Sequence, residues 1–133
     1  MNKIKEISIE NRLIDYYKEN NYVVNNQVKF AQKRIDIITR RKNNNNICAI
    51  EVKISDWKTA LRQACLNLVA CNEAYVAIWH RHAKQAMNNK DLFRENGVGL
   101  IVVDEFFKPE VMFKSRKNKN VNMSAYEYVL NSL

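Results

Sequence analysis

Two continuous apolar segments constrain the fold most strongly. Residues 74–79 (AYVAIW) and 98–104 (VGLIVVD) have strand length and little polar alternation, which is typical of strands buried on both faces. A more polar segment with helical spacing lies between them, at about 83–95, and Gly97 is expected to end it. A helix that connects two buried strands indicates a parallel crossover, so the chain is predicted to be an α/β protein.

The other periodic segments complete the element order α-β-β-β-α-β-α-β-β-α within a single domain of 133 residues. The expected bounds are 6–20 for the first helix, 22–30, 33–40 and 47–54 for three strands, 57–71 for the second helix, and 110–114 for an edge strand behind Pro109. The polar loop 41–46 predicts a hairpin, which makes the sheet mixed. We also expect an irregularity at Asn25–Asn26 and a C-terminal helix begun by a capping box of Ser124 and Glu127.

Composition excludes several classes of function. The net charge of +8 favours a polyanionic partner, of which nucleic acid is the commonest, although a basic surface can also serve solubility. No apolar segment approaches the ~20 residues that span a bilayer, and the charged N-terminus does not resemble a secretory signal. The three cysteines have no metal-site spacing and predict a reduced, cytoplasmic protein. With only two glycines there is no phosphate-binding glycine loop, so a nucleotide cofactor is not expected.

A charged pair interrupts the third strand, which contains the sequence AIEVKIS at residues 49–55. Because side chains alternate along a strand, Glu51 and Lys53 are expected on one face and the aliphatic residues around them on the other. By itself this pattern is common on half-exposed strands, where it is usually a structural ion pair.

The presence of Asp36 favours a functional interpretation of Glu51 and Lys53. It lies between isoleucines in the second strand, where a buried carboxylate is costly unless it is paired or binds a metal. If the hairpin pairs the two strands, Asp36 and Glu51 lie side by side, and their charges repel unless a cation lies between them. Mg²⁺, for which Mn²⁺ can substitute, binds carboxylates together with a backbone carbonyl and water. Such a cation activates water and neutralises charge on a phosphate, as phosphodiester hydrolysis requires.

The pattern of Asp36, fourteen intervening residues and then Glu51-Val52-Lys53 resembles the PD-(D/E)XK nuclease superfamily. The resemblance implies a restriction-endonuclease-like fold, with an αβββαβ core built on a central mixed sheet. It implies that Asp36, Glu51 and the backbone carbonyl of Val52 bind Mg²⁺, and that Lys53 assists the attacking water. Ile35 replaces the proline of the family motif, and this proline is also replaced in many other members.

Two further positions match members similar to archaeal Holliday-junction resolvases. Glu10 corresponds to a glutamate at the start of the first helix in these members, which implies a catalytic role and a possible metal ligand. Gln63 corresponds to a glutamine on the helix after the motif strand. Asn21 replaces the glycine expected after the first helix, in a conformation that asparagine tolerates. Each residue also has a structural interpretation, because Glu10 can interact with the helix dipole and Gln63 can be an exposed helix residue.

Basic residues flank the site strands in sequence and recur near the C-terminus. The candidates for DNA phosphate contact are Lys33, Arg34, Arg40, Arg41, Lys42, Arg116, Lys117 and Lys119. These charges are equally compatible with solvated loops. The resemblance to resolvases also suggests a homodimer, with the apolar segment AYEYVL at 125–130 as one candidate interface.

Three functions remain open from the sequence. The first is a metal-dependent DNA endonuclease, selective for DNA structure rather than for base sequence. The second is a nucleic-acid-binding module that has the same fold but no catalytic turnover. The third is the nuclease subunit of a mobile-element or restriction system that cleaves only with a partner. The presence of Asp36, Glu51 and Lys53 together argues against the second.

Overall fold

The computed structural model describes residues 3–133, which form a six-stranded mixed sheet flanked by helices. The strands are β1 (Tyr22–Phe30), β2 (Lys33–Arg41), β3 (Cys48–Lys53), β4 (Glu73–Trp79), β5 (Gly99–Val103) and β6 (Pro109–Phe113). The helices are α1 (Glu6–Glu19), α2 (Trp57–Asn67), α3 (Lys84–Met87), α4 (Lys90–Asn96) and α5 (Met123–Leu130), with a 3₁₀ turn at His80–His82. Within residues 3–133, no helix combines the length and the apolar character needed to cross a membrane.

The strands lie in the sheet in chain order. β3, β4 and β5 are parallel, whereas the β1–β2, β2–β3 and β5–β6 pairs are antiparallel. The predicted mixed sheet, the buried strand 74–79 and the edge strand behind Pro109 are therefore confirmed. Parallel strands need a crossover, and here α2 and the α3–α4 segment supply them.

Alternate residues of β4 pack into different layers, so the sheet is buried on both faces. Val76 and Ile78 pack with α2 and with Phe93 of α4, whereas Tyr75 and Ala77 pack in the cluster that contains Ile9 and Leu13 of α1. This two-sided burial explains why the β4 sequence shows no polar alternation. α5 covers a third cluster around Ile35, Ile38 and Ile47.

Three local predictions need correction. The single helix expected at 83–95 is divided into α3 and α4, because Asn89 turns its side chain back to the carbonyl of Gln85 (2.7 Å) at the junction. The α-helical part of the second helix ends at Asn67, before the expected 71. α5 begins at Met123, because Asn122 caps it by accepting a hydrogen bond from the backbone N–H of Ala125 at 3.0 Å.

Glycine and asparagine turns otherwise follow expectation. Gly97 ends α4 with φ of 70°, and Asn21 follows α1 with φ of 68°, so both occupy the left-handed region that an L side chain other than Asn or Asp rarely adopts. The irregularity in β1 lies at Gln27, with φ of 51°, one position beyond the predicted Asn25–Asn26.

The C-terminal helix packs on its own domain. Val129 of α5 is fully buried in the third cluster, and the hydroxyl of Tyr126 donates to the carbonyl of Asn45 at 2.6 Å. Tyr128 remains 56% exposed. A homodimer through this segment stays a prediction, with Tyr128 rather than Val129 available to a partner.

Candidate active site

Asp36 lies where β2 and β3 separate. The two strands pair at Thr39–Cys48, Ile38–Ala49 and Ile37–Ile50, and Asp36 and Glu51 occupy the next positions on the two strands. There the ladder stops, and Oδ2 of Asp36 accepts a hydrogen bond from the backbone N–H of Val52 at 2.8 Å. The carboxylate of Asp36 thus accepts the hydrogen bond that a backbone carbonyl of β2 would accept if the strands stayed paired. Asp36 therefore lies beside the Glu51–Val52 segment, as the predicted hairpin implied.

Glu51 is a buried carboxylate with two donors. It is 1% exposed, and its Oε2 accepts hydrogen bonds from Nζ of Lys33 at 3.1 Å and from Nδ2 of Asn67 at 2.8 Å. Burial raises the pKa of Glu51 to about 7, and the negative charge of Asp36 adds to the increase, while Asn67 and Lys33 oppose it. Glu51 therefore changes charge close to neutral pH.

Gln27 connects the carboxylate of Glu10 to that of Asp36. Nε2 of Gln27 donates to Oε1 of Glu10 at 2.8 Å and approaches Oδ1 of Asp36 at 3.4 Å. Glu10 is 4% exposed. Its pKa is raised, first by burial and also by the charge of Asp36, while the hydrogen bond from Gln27 lowers it. We refer to Glu10, Asp36 and Glu51 as the acidic cluster.

Lys53 lies beside this cluster but not on Glu51. Its Nζ is 3.6 Å from Oε1 of Glu6 in the first turn of α1, and the side chain is 27% exposed. The ion pair that the sequence suggested between Glu51 and Lys53 is therefore replaced by two others, Lys33–Glu51 and Lys53–Glu6. Because Glu6 is 41% exposed, its attraction for Lys53 is weakened by solvent.

Two amide side chains of α2 complete the surroundings. Gln63 and Asn67 are one turn apart on the same helix face. The buried oxygens Gln63 Oε1 and Asn67 Oδ1 have no hydrogen-bond partner among the described residues. Buried oxygens are nearly always satisfied by a donor, by water or by an ion. The Asn67 oxygen belongs to the same amide group that donates to Glu51. This acceptor without a hydrogen-bond partner therefore lies next to the acidic cluster.

The residues present fit a divalent cation of the Mg²⁺ type. Among residues 3–133, no three His, Cys, Asp or Glu side chains lie close enough together to hold a metal ion on their own. Mg²⁺, however, is usually bound by one or two carboxylates and completes its octahedron with water and other oxygens. Asp36, Glu51 and the carbonyl of Val52 would supply such a donor set. Burial raises the pKa of Glu51 most, and a cation would relieve the charge repulsion from Asp36 that adds to it.

The predicted basic residues do not lie together. Lys33 and Arg34 lie at the β1–β2 hairpin, on the end of β2 that carries Asp36. Arg40, Arg41 and Lys42 lie at the other end of β2, roughly 25 Å away at the usual rise per residue. Lys33 is moreover engaged by Glu51, so its first partner is a carboxylate rather than a phosphate.

Sequence reasoning missed two residues of the site, Gln27 and Asn67, and it assigned Lys33 to a DNA phosphate rather than to Glu51. The irregularity expected in β1 was the one signal near Gln27, and the buried face of α2 could have suggested Asn67, which shares it with Ala60 and Ala64.

Comparison with known proteins gives a fold match without a functional description. No protein-family model matches the chain, and no curated protein is significantly similar to it. Among solved structures, the chain is similar to a protein of unknown function from Silicibacter pomeroyi, with a TM-score of 0.72 and 14% sequence identity. The match covers 98% of this chain and 84% of that one, and at this identity it shows a shared fold alone.

Proposed function

We propose that this protein is a Mg²⁺-dependent DNA endonuclease of the PD-(D/E)XK type, with a restriction-endonuclease-like fold, selective for DNA structure rather than base sequence. The observation that carries the proposal is the position of Asp36, which lies at the point where β2 and β3 separate and accepts a hydrogen bond from Val52 next to Glu51. Two carboxylates beside a backbone carbonyl suit a hard divalent cation.

Each residue has a defined task in this proposal. Asp36, Glu51 and the Val52 carbonyl hold the cation, which supplies charge neutralisation at the phosphate and activation of water. Lys53 places a fixed positive charge at the open side of the cluster, where Glu6 now partners it at 3.6 Å. Glu10 is positioned through Gln27 and lies close enough to Asp36 for its pKa to respond, which suits a role as a further acid or ligand. Gln63 is expected to orient water or phosphate from α2.

The net charge supports a polyanionic substrate such as DNA. The chain carries a net charge of +8 although its candidate site is acidic, so the remaining surface has a still larger positive excess. A polyanionic substrate is attracted by that excess and is drawn to a bound cation at the site.

Calorimetric titration with Mg²⁺ or Mn²⁺ tests the metal site. Asp36→Asn removes one negative charge, yet the amide oxygen of asparagine can still accept the hydrogen bond from Val52, so the fold should persist. The exposed Asp15 of α1 gives a matched control, Asp15→Asn. We expect the binding heat to disappear in Asp36→Asn alone. Equal binding in wild type and Asp36→Asn would contradict the metal assignment.

A cleavage assay tests the activity. Labelled duplex, branched and single-stranded DNA are incubated with the protein and Mg²⁺ or Mn²⁺, with EDTA as the control. Metal-dependent cleavage that is lost in Asp36→Asn supports the proposal. If metal binds at Asp36 but no DNA is cut, the endonuclease activity of the isolated chain is contradicted, and a subunit that needs a partner becomes the better explanation.

A further inference from the structure

The end of the sheet opposite the acidic cluster carries seven of the 22 lysine and arginine residues. Arg41 of β2 pairs with Tyr22 of β1, and β6 ends where Phe113 pairs with Leu100. Because β3, β4 and β5 begin at this end and the acidic cluster lies near their other end, the two sites are separated by the length of the strands. We refer to the following residues as the basic end: Arg40, Arg41, Lys42, Lys114, Arg116, Lys117 and Lys119.

A cavity of about 410 Å³ opens at the basic end. Its walls include three tyrosine rings, from Tyr17, Tyr22 and Tyr75, together with the cationic side chains of Arg41 and Lys117. The size falls within the range of small-ligand sites. Glu73 also lines the cavity and accepts a hydrogen bond from Asn46 at 2.6 Å.

Aromatic and cationic side chains pack together in this cavity. The Arg41 guanidinium carbon lies 4.9 Å from the centre of the Tyr22 ring, and Tyr22 meets Tyr17 edge to face at 5.3 Å. The Tyr75 ring lies against Gly99, where an added Cβ would come within 2.3 Å of the ring. Glycine at this position therefore permits the Tyr75 ring to lie close to the sheet.

A second cavity, of about 330 Å³, adjoins the first at Lys114, which lines both. Three more cationic side chains line it, those of Lys90, Arg94 and Arg116, and no acidic residue is among the described residues that line it. The Arg116 guanidinium is held in place by the carbonyl of Arg94 at 3.0 Å. Lys114 therefore lies between the two cavities, and cationic side chains line both of them.

We propose that the basic end binds a single-stranded segment of nucleic acid, independently of the acidic cluster. An unstacked base enters the tyrosine-lined cavity, and the adjoining phosphates contact Arg41, Lys117 and Lys114. Aromatic stacking with cationic contacts to the backbone is the usual means of binding single strands, because their bases are free to stack on protein side chains. A duplex offers phosphates but no free base. The inference goes beyond the endonuclease proposal and does not depend on it.

Fluorescence anisotropy with a labelled 12-nucleotide single-stranded DNA in EDTA tests the cationic contacts. The double variant Arg41→Glu/Lys117→Glu is compared with Arg62→Glu/Lys84→Glu, which changes the net charge equally at exposed residues of α2 and α3. We expect at least a tenfold loss of affinity in the first pair and a salt slope smaller by about 1.4, at about 0.7 for each lost phosphate contact. Equal losses in both pairs would overturn the proposal.

Variants of Tyr22 test the stacking contact separately. Tyr22→Leu should weaken binding roughly 5- to 100-fold with an unchanged salt slope, whereas Tyr22→Phe, which keeps the ring, should bind as wild type does. Thermal unfolding of each variant establishes that it is folded. Unaltered affinity in folded Tyr22→Leu, or equal competition by a duplex of the same sequence, would overturn the single-strand assignment. Binding that persists in Asp36→Asn separates this inference from the endonuclease proposal.

Discussion

The two ends of the sheet carry charge in different ways. At the acidic end, Glu51 and Glu10 are 1% and 4% exposed, and hydrogen bonds from Lys33, Asn67 and Gln27 fix their positions. At the basic end, Arg41 and Lys117 are exposed, and each charge is one of several around two open cavities.

This difference in burial indicates where the substitution of a single charged residue should have a large effect. Buried charged groups interact strongly, and each has few hydrogen-bond or ion-pair partners. Removing one such group therefore changes the protonation and function of its neighbours. Exposed charges are screened by water and salt and act as a group, so each contributes little by itself. We therefore expect single substitutions of charged residues to have large effects at the acidic end and small effects at the basic end.

After the loss of metal binding expected for Asp36→Asn, the largest single effect is expected for Lys53→Ala. If the Lys53 ammonium acts on charge that develops only in the transition state, cleavage should slow by ~10²–10³. Binding of Mg²⁺ should stay unchanged, because Lys53 is not a ligand, and stability should change little, because Glu6 is 41% exposed. Single-turnover cleavage and calorimetry measure the two quantities. Lys58→Ala, an exposed lysine of α2, is the control, and an equal rate in both variants would remove Lys53 from the mechanism.

Stability should depend on pH through the acidic end. The pKa of Glu51 in the folded protein is about 7, against an ordinary value of 4.5, so the folded state binds more protons between these values. The free energy of unfolding in EDTA should therefore fall as pH rises, by roughly 2–3 kcal/mol from pH 5 to pH 8. Glu10, whose pKa is also raised, acts in the same direction.

Urea unfolding at a series of pH values measures this dependence. Glu51→Gln should remove most of it, because the amide does not titrate. Added Mg²⁺ should flatten the curve at high pH, since a cation stabilises the ionised carboxylate. A stability that rises between pH 5 and pH 8 in the metal-free protein would show that Glu51 is ionised throughout, contrary to the comparison of the two ends.

Lys33→Met should destabilise the protein at high pH more than at low pH. The ammonium of Lys33 lies 3.1 Å from Oε2 of Glu51 and partly compensates its charge. Without it, the cost at pH 8 should be about 1–2 kcal/mol, below that of a fully buried pair because Lys33 is 18% exposed. At pH 5, where Glu51 is protonated, the cost should be smaller. Lys29→Met, an exposed lysine of β1, serves as the control, and a loss independent of pH would contradict the pairing.

The smallest effect is expected at the basic end. Lys119→Ala removes one exposed charge, so the free energy of unfolding should stay within about 0.5 kcal/mol of wild type and DNA affinity should fall only about two- to threefold. Thermal unfolding and anisotropy check these values. A loss of affinity as large as tenfold from this one residue would mean that the basic end depends on individual contacts, as the acidic end does.

The sequence by itself determined the element order and brought the motif residues together. Hydrophobic periodicity depends on local geometry, so continuous apolar strands such as Ala74–Trp79 and the helical spacing of α1 could be read without tertiary contacts. The short loop at 41–46 set the register of β2 against β3. Once that register is fixed, Asp36 and Glu51 must be neighbours, which is why this part of the candidate site was predictable.

Tertiary structure decided the partners of those residues. The sequence suggested Lys53 as the partner of Glu51, yet Lys33 bonds Glu51 and Lys53 faces Glu6. The reason is that β2 and β3 separate at Asp36 and α1 covers the end of β3. Asn67 reaches Glu51 only through the packing of α2. Likewise, Arg41 and Lys117, far apart in sequence, meet at one cavity because the strand directions place both at the same end of the sheet. Such contacts depend on how whole helices and strands pack against each other. They cannot be predicted from the local periodicity of the sequence.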